Sequence, residues 1–424
     1  MKARKVVLVD AIRTAFGKAG EKGVFWNTRA DDMVVKVIRE LIRRNPKVKP
    51  EMIEENAWGV FCQEKDQGLT LGRTTVILSG LPVETAGYSI DRMCAGGMSA
   101  LTTAASEIAL GAFDCAIAGG VEHMGHHPMG ATADPNSRFL TDKLVDQSAM
   151  SMGETAENLH DMFPDITKEM ADEYALVCQA KAKKAIDSGK IAKMIVPMTV
   201  YTKEGWAVAD RDEQPRPETT MEGLAELRTP FRVMGKVTAG NSSGLNDGAA
   251  GALLMSKDMA EDLGIEPKME MKAFTYAGVN PEIMGIGPIP ATHKALKIAG
   301  LKMDDIGLIE LNEAFAVQAV AFIKEFGLEY PDDPRLNIFG GAIAFGHPLA
   351  SSGVRLALHL MHGFAAHPEV KYGLTTMCVG LGQGGTVIWK NLQRNDKKES
   401  KKQEKKQEKR EEKEKKEDKK DKKG

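Results

Sequence analysis

From residue 6 to about residue 120, short apolar runs alternate with longer stretches whose apolar positions recur every three or four residues. That alternation predicts strands and helices in turn. Residues 6–9 read as a first strand and residues 30–44 as a helix. Asp31 and Asp32 favour the start of that helix, and Pro46 stops it. Strands are predicted over 57–61 and 86–90, with a helix over 71–79 between them. The alanine-rich run 98–110 has helical spacing, and 114–120 reads as a strand covered on both faces.

The texture changes over residues 121–250, where methionine, proline and glycine are frequent. An amphipathic helix is predicted over 167–188 inside this excursion, which is long enough to expect a functional role for it. From Met269 the strand–helix rhythm returns and repeats the first part. The helix, linker and strand of 30–61 recur over 290–315, with the strand at 307–311. The glycine-rich turn 340–348 takes the place of the turn at 94–97, and the strand 374–380 that of 114–120. Two such halves packed together bring their equivalent helix starts to a shared centre. The expected organisation is an N-terminal half (1–120 plus 250–268), an inserted segment (121–249), a C-terminal half (269–393) and a charged tail (394–424).

The turn between the strand 86–90 and the helix 98–110 holds Cys94, followed by Gly96 and Gly97. A cysteine near a helix N-terminus is expected to have its thiol pKa lowered, because free N–H groups stabilise the thiolate. The alternative is a buried structural cysteine, since free cysteines are often buried. Chemically capable partners stand in glycine-rich turns or at strand ends of the second half. They are Asn312 in Asn-Glu-Ala-Phe-Ala, His347 in Gly-His-Pro, and Cys378 ahead of Val-Gly-Leu-Gly-Gln-Gly-Gly. Such positions are where α/β proteins place their sites. The 380–385 glycines precede an apparent strand rather than a helix, so they read as exposed N–H donors and not as a dinucleotide loop. His123, His126 and His127 could suggest a metal site, but no acidic or cysteine partner is placed beside them, and a polar loop is the reading preferred.

Bulk composition narrows the class. The N-terminal apolar run is too short for a signal-peptide core, and no run approaches membrane-spanning length. The five cysteines have no paired or metal-type spacing, so reduced thiols in a cytoplasmic protein are expected. The net charge of −2 hides an asymmetry. From Asp396 onward 15 basic residues face 10 acidic ones, and no apolar residue follows Leu392. That tail is expected to be a disordered or lone helical solvated extension.

Taken together, Arg92-Met93-Cys94-Ala95-Gly96-Gly97-Met98, Asn312-Glu313-Ala314-Phe315-Ala316, Gly340-Gly341-Ala342-Ile343-Ala344-Phe345-Gly346-His347-Pro348 and Cys378-Val379-Gly380-Leu381-Gly382-Gln383-Gly384 resemble the signatures of the thiolase family, in its order and spacing. The stretches 120–126 and 216–220 are similar to the degradative 3-ketoacyl-CoA thiolases that form the β-subunit of bacterial fatty-acid oxidation complexes. The resemblance covers about residues 4–392. It implies an α/β fold of duplicated βαβαβαββ halves in a five-layered α-β-α-β-α core, with an inserted loop domain that binds CoA. It implies an acyltransferase that cleaves 3-ketoacyl-CoA with CoA through an acyl-cysteine. The alternatives are condensation of two acetyl-CoA, or a catalytically silent acyl-CoA carrier on the same scaffold.

The resemblance further implies that Cys94 is the nucleophile and that His347 activates it. His347, with a water held by Asn312, would cradle the thioester oxygen. Cys378 would be the acid/base at the α-carbon, and the N–H groups of Cys94 and Gly380 a second oxyanion hole. Arg216 and Ser243 match positions that meet CoA. No cofactor is bound permanently, and CoA is a co-substrate. A homodimer or dimer of dimers is implied, as is a possible enoyl-CoA hydratase/3-hydroxyacyl-CoA dehydrogenase partner, with no nucleic acid and no membrane span. The sequence departs from the family pattern at Ala350-Ser351, where Gly-Cys is usual, and at Asp91, where Asn is usual.

Overall fold

Two runs of strand and helix, joined edge to edge, make the frame of the molecule. The computed structural model describes residues 3–131 and 133–394. The charged tail after Arg394 lies outside the described residues. The first run comprises β1 (Val6–Arg13), α1 (Ala30–Arg44), β2 (Glu55–Gly59), α2 (Leu71–Ser79), β3 (Ala86–Ile90), α3 (Gly96–Leu110) and β4 (Cys115–His123). An excursion with α4 (Met152–Met162), α5 (Lys168–Asp187) and a hairpin of Met198–Thr202 and Gly205–Ala209 then leads to β5 (Asn246–Ser256). The second run comprises β6 (Met269–Gly278), α6 (Pro288–Ala299), β7 (Ile306–Leu311), α7 (Ala316–Glu325), α8 (Ser352–Ala366), β8 (Tyr372–Val379) and β9 (Gln383–Asn391).

The strands lie in the order β7-β8-β9-β6-β1-β5-β4-β2-β3. From β3 inward the pairings are parallel, parallel, antiparallel and antiparallel. The second half repeats this pattern. Leu336 bridges in parallel to Ile309 of β7, β7 pairs in parallel with β8, and β8–β9 and β9–β6 are antiparallel. The halves join where β1 and β6 pair antiparallel, at Val7↔Glu270 and Leu8↔Met269.

Alternation along the strands sets the layers. Gly119 and Gly251 are opposite each other on one face, and Val37 of α1 packs against Gly251. Gly120 points the other way, toward the start of α3 and the turn before α8. In β9, Gly384 faces the start of α6 while Gly385 faces Met98 of α3. Helices α3 and α8 therefore lie between the two half-sheets, with α1 and α6 outside, which gives the expected five layers. The inner helices touch backbone to backbone. A Cβ on Gly97 would lie 2.4 Å from the Ala350 carbonyl oxygen, and one on Gly353 would lie 2.6 Å from the Met98 nitrogen. Only glycine permits that approach.

Element positions differ from the sequence expectation where polar residues find distant partners. Strand β1 runs on past residue 9 because Asp10 and Arg13 are neutralised in place. Asp10 accepts from Arg44 at 2.7 Å, and Arg13 makes a two-pronged contact with Asp212, both prongs 2.7 Å. Strand β2 lies at 55–59 rather than 57–61. The reason is that the Phe61 and Cys62 N–H groups leave the ladder for the Glu122 carboxylate, at 3.1 and 3.3 Å. Among the described residues no helix is long and apolar enough to cross a membrane.

Candidate active site

Cys94 sits in a one-turn 3₁₀ helix, Met93–Ala95, between β3 and α3. Asp91 shapes this turn by accepting the Met93 N–H at 2.6 Å. Met93 takes φ +44°, a strained value for a residue with a side chain. The strain turns Cys94, half-buried, toward a cavity of about 610 Å³. His347, Cys378, Gly380 and Ser243 line the same cavity. Residues from four separate segments, more than 280 positions apart at the extremes, thus converge on one space.

The Cys94 thiol differs from the expectation. Burial pushes its pKa up to about 11, and the negative charges of Glu122 and Asp91 push the same way. The N–H groups of Gly380 and of Cys94 itself bond the sulfur and oppose this, but do not outweigh it. At neutral pH the resting group is a thiol, so a base must take its proton.

His347 is built for that task. Its backbone N–H donates to Asn246 Oδ1 of β5 at 3.0 Å, which fixes the turn. Its Nδ1 lies 2.6 Å from Ser352 Oγ at the start of α8. The single Ser352 O–H goes to the Pro348 carbonyl at 3.1 Å, so Ser352 accepts from Nδ1–H. The other ring nitrogen, Nε2, then carries the lone pair, and Asn312 Nδ2 lies 3.3 Å from it. Burial, aided by the positive charge of Arg355, lowers the His347 pKa to about 3. The imidazole is neutral and able to accept.

Cys378 is the next-to-last residue of β8, opposite Gly384. Its sulfur lies 3.5 Å from Gln318 Oε1, and burial pushes the thiol far up, with the neighbouring Cys94 adding to the shift. At neutral pH it therefore rests as a thiol, with a proton in place beside the cavity. Gln318 is itself locked, donating to the Asn312 carbonyl at 3.0 Å and accepting from the Ala314 N–H at 3.1 Å. A Cβ on Gly380 would come within 2.8 Å of Met93 Sδ and Cε, so a side chain there would displace the Met93 tip beside Cys94.

The remaining candidates separate. Ser243 donates its N–H to the Ala314 carbonyl at 2.9 Å, which ties the excursion to the link between β7 and α7 at the cavity wall. Arg216 is exposed and lies outside that cavity, in an adjoining groove of about 530 Å³. Gln214 and Ala239 border both spaces, so the groove opens beside the cavity. Glu313, next to Asn312, is buried and bonded to Tyr174 at 2.8 Å and Cys178 at 3.0 Å, so it is a structural anchor. His126 and His127 both bond Asp66, an acidic partner that sequence spacing did not reveal, while His123 bonds the Phe25 carbonyl. Among the described residues no group of three or more such side chains is placed to hold a metal ion.

Sequence reasoning passed over Gln318, Ser352 and Asn246. Gln318 carried a signal, as the single polar residue in the run 316–323. Ser352 and Asn246 stand among other small polar residues and gave none.

Comparison with known proteins agrees with this geometry. Residues 6–258 match the family model "Thiolase, N-terminal domain", and residues 265–391 match "Thiolase, C-terminal domain". A 3-ketoacyl-CoA thiolase of Idiomarina loihiensis is 42% identical over 391 residues, 92% of this chain and 100% of that protein. One of Aliivibrio fischeri is 43% identical, over 91% of this chain and 99% of its own length. Among solved structures, human mitochondrial 3-ketoacyl-CoA thiolase superposes with a TM-score of 0.82 at 34% identity, covering 92% of this chain and 99% of that one. The Bacillus anthracis acetyl-CoA acetyltransferase does so with a TM-score of 0.82 at 36% identity and the same coverage.

Proposed function

This chain belongs to the thiolase family, and from that premise we infer that it cleaves 3-ketoacyl-CoA with free CoA, giving acetyl-CoA and an acyl-CoA two carbons shorter. The observation that carries the reading is the convergence of Cys94, His347, Cys378 and the Gly380 N–H on one cavity, with Asn312 bonded to His347. CoA is a co-substrate. The wall of the cavity is rich in methionine, with Met124, Met129, Met150, Met152 and Met284, and this adaptable apolar lining suits an acyl chain.

The chemistry follows from the protonation states. His347 Nε2 takes the Cys94 proton, and the sulfur attacks the 3-keto carbon. The oxyanion that forms is met by the Cys94 and Gly380 N–H groups. Such donors, preorganised where charge develops, are each worth about 10²–10³ in rate. The C2–C3 bond breaks, and its electrons pass to an acetyl-CoA enolate. The thioester oxygen of that enolate is held by His347 and by a water on Asn312, and Cys378 protonates its carbon. Cys378 then takes the proton of incoming CoA, whose sulfur attacks the acyl-Cys94. The departing Cys94 sulfur recovers its proton from His347, and the cycle closes with ping-pong kinetics. The excursion 121–249 supplies the CoA surface, with Ser243 at the pantetheine end and Arg216 at the nucleotide end.

We also propose a homodimer or dimer of dimers. The support is the free edge strand β3, beside which Leu69, Ile77, Leu78 and Val83 are exposed. The further proposals are a cytoplasmic location and association with a hydratase/dehydrogenase subunit. Light scattering that finds an active monomer would remove the proposed homodimer.

A second reading, condensation of two acetyl-CoA, is favoured by the likeness to the Bacillus anthracis acetyl-CoA acetyltransferase. Thiolysis of 3-ketoacyl-CoA from four to sixteen carbons, with Cys94→Ser alongside, separates the two. Activity that persists at longer chains and is lost in the variant supports cleavage in fatty-acid breakdown. Activity confined to acetoacetyl-CoA supports the second reading.

A further inference from the structure

Helix α8 carries Arg355 between Val354 and Leu356, and its side chain is fully buried. A buried guanidinium is unfavourable unless its donors are bonded. Nη2 of Arg355 donates to Asn312 Oδ1 at 2.8 Å. Nε and Nη1 have no hydrogen-bond partner among the described residues. The one bond of this buried cation therefore goes to the side chain that faces His347.

Guanidinium nitrogens only donate, so the Asn312 atom at Arg355 is its oxygen and the NH₂ is turned to His347 Nε2. An NH₂ group cannot accept, so Nε2 is the ring nitrogen without a proton. Ser352 gives the same assignment from the opposite side of the ring. We propose that Arg355 is a positioning residue for the reaction. It holds the Asn312 amide with its NH₂ toward the cavity, and so makes Nε2 of His347 the nitrogen that accepts the Cys94 proton. After that transfer, Nε2–H donates directly to the substrate's thioester oxygen, and Asn312 Nδ2–H does so through the water it holds. With the amide rotated, its oxygen would face the developing negative charge instead.

The inference rests on the reading of His347 as the base. The titratable and charged groups facing His347 are Arg355 from α8, Cys94 from the turn before α3, and Cys378 from β8. Glu310 of β7 and Glu313 just beyond it act in turn on Arg355.

The test compares Arg355→Met combined with Glu310→Gln against Glu310→Gln alone, so that the Glu310 carboxyl is not left without its cation. The double variant is expected to lose about 10²-fold in kcat, the effect of one misaligned oxyanion donor, with KM changed less than about 3-fold. Arg355→Lys is expected to restore part of the loss. A double variant within about 3-fold of Glu310→Gln in kcat overturns the proposal. His347→Ala in the same assay isolates the premise. If it stays active the base reading falls, whereas if it is inactive and the Arg355 variant is not, only the present proposal falls. Nitrogen NMR of imidazole-labelled wild-type enzyme, with His347 assigned from a His347→Gln spectrum, gives a readout independent of variant folding. The expected state is Nδ1 protonated and Nε2 bare from pH 6 to 8. A protonated Nε2 overturns the proposal.

Discussion

Cys94 should react with iodoacetamide far more slowly than an ordinary cysteine at neutral pH, although it is the nucleophile. Burial raises its thiol to about 11. At pH 7 about one molecule in 10⁴ then carries a thiolate, against about 3% for an unperturbed thiol near 8.5. That is a deficit of about 300-fold. A more basic thiolate is intrinsically more nucleophilic, and a Brønsted slope of about 0.45 over that gap recovers roughly 13-fold. The net expectation is alkylation about 20-fold slower than free cysteine. His347, lowered to about 3 by burial and Arg355, does not hold the proton in the resting enzyme, so no thiolate–imidazolium pair forms before substrate arrives. The assay is peptide-resolved mass spectrometry of alkylation from pH 6 to 9.5. The Cys94 rate should rise about tenfold per pH unit without a plateau, because the raised pKa lies above the whole range. A plateau with a midpoint below about 8 would refute the reasoning and show a preformed ion pair.

Three further outcomes test separate parts of the account. Cys378→Ala should lower kcat by about 10²–10⁴-fold, as for loss of a proton donor, while leaving Cys94 alkylation within about 3-fold of wild type; unchanged turnover would remove Cys378 from the mechanism. Gly353→Ala places a Cβ 2.6 Å from backbone and should lower unfolding free energy by about 1–3 kcal/mol in denaturant titration; an unchanged midpoint would contradict the close approach of α3 and α8. Asp212→Ala removes the partner of buried Arg13 and the acceptor for the Phe16 N–H, so about 3–5 kcal/mol of stability should go; a loss under about 1 kcal/mol would mean that the pair does not pin the excursion to β1.

Much of the frame was legible in the sequence because local periodicity reported it. Helices α1 and α2 and strand β3 fall at the expected residues, and the internal repeat foretold the matching pairing order of the two half-sheets. Strand ends were less legible where a charged residue is neutralised from afar, as Arg13 is by Asp212, 199 positions away. Within the site, glycine-rich turns marked Cys94, His347, Cys378 and Gly380, and these share a cavity. What the turns could not report was electrostatics. A helix N-terminus suggested a lowered Cys94 pKa, but burial and nearby carboxylates decide the sign. Gln318, Ser352 and Arg355 escaped because each acts by orienting another side chain, and orientation leaves no spacing signature.

The most direct test is to mix the enzyme with 3-ketodecanoyl-CoA in the absence of free CoA, quench, digest and weigh the peptides. The account expects an octanoyl group on the peptide that contains Cys94, with release of one acetyl-CoA per site. Acetyl-CoA released without an acyl group on Cys94, or an acyl group carried by Cys378 instead, would contradict it.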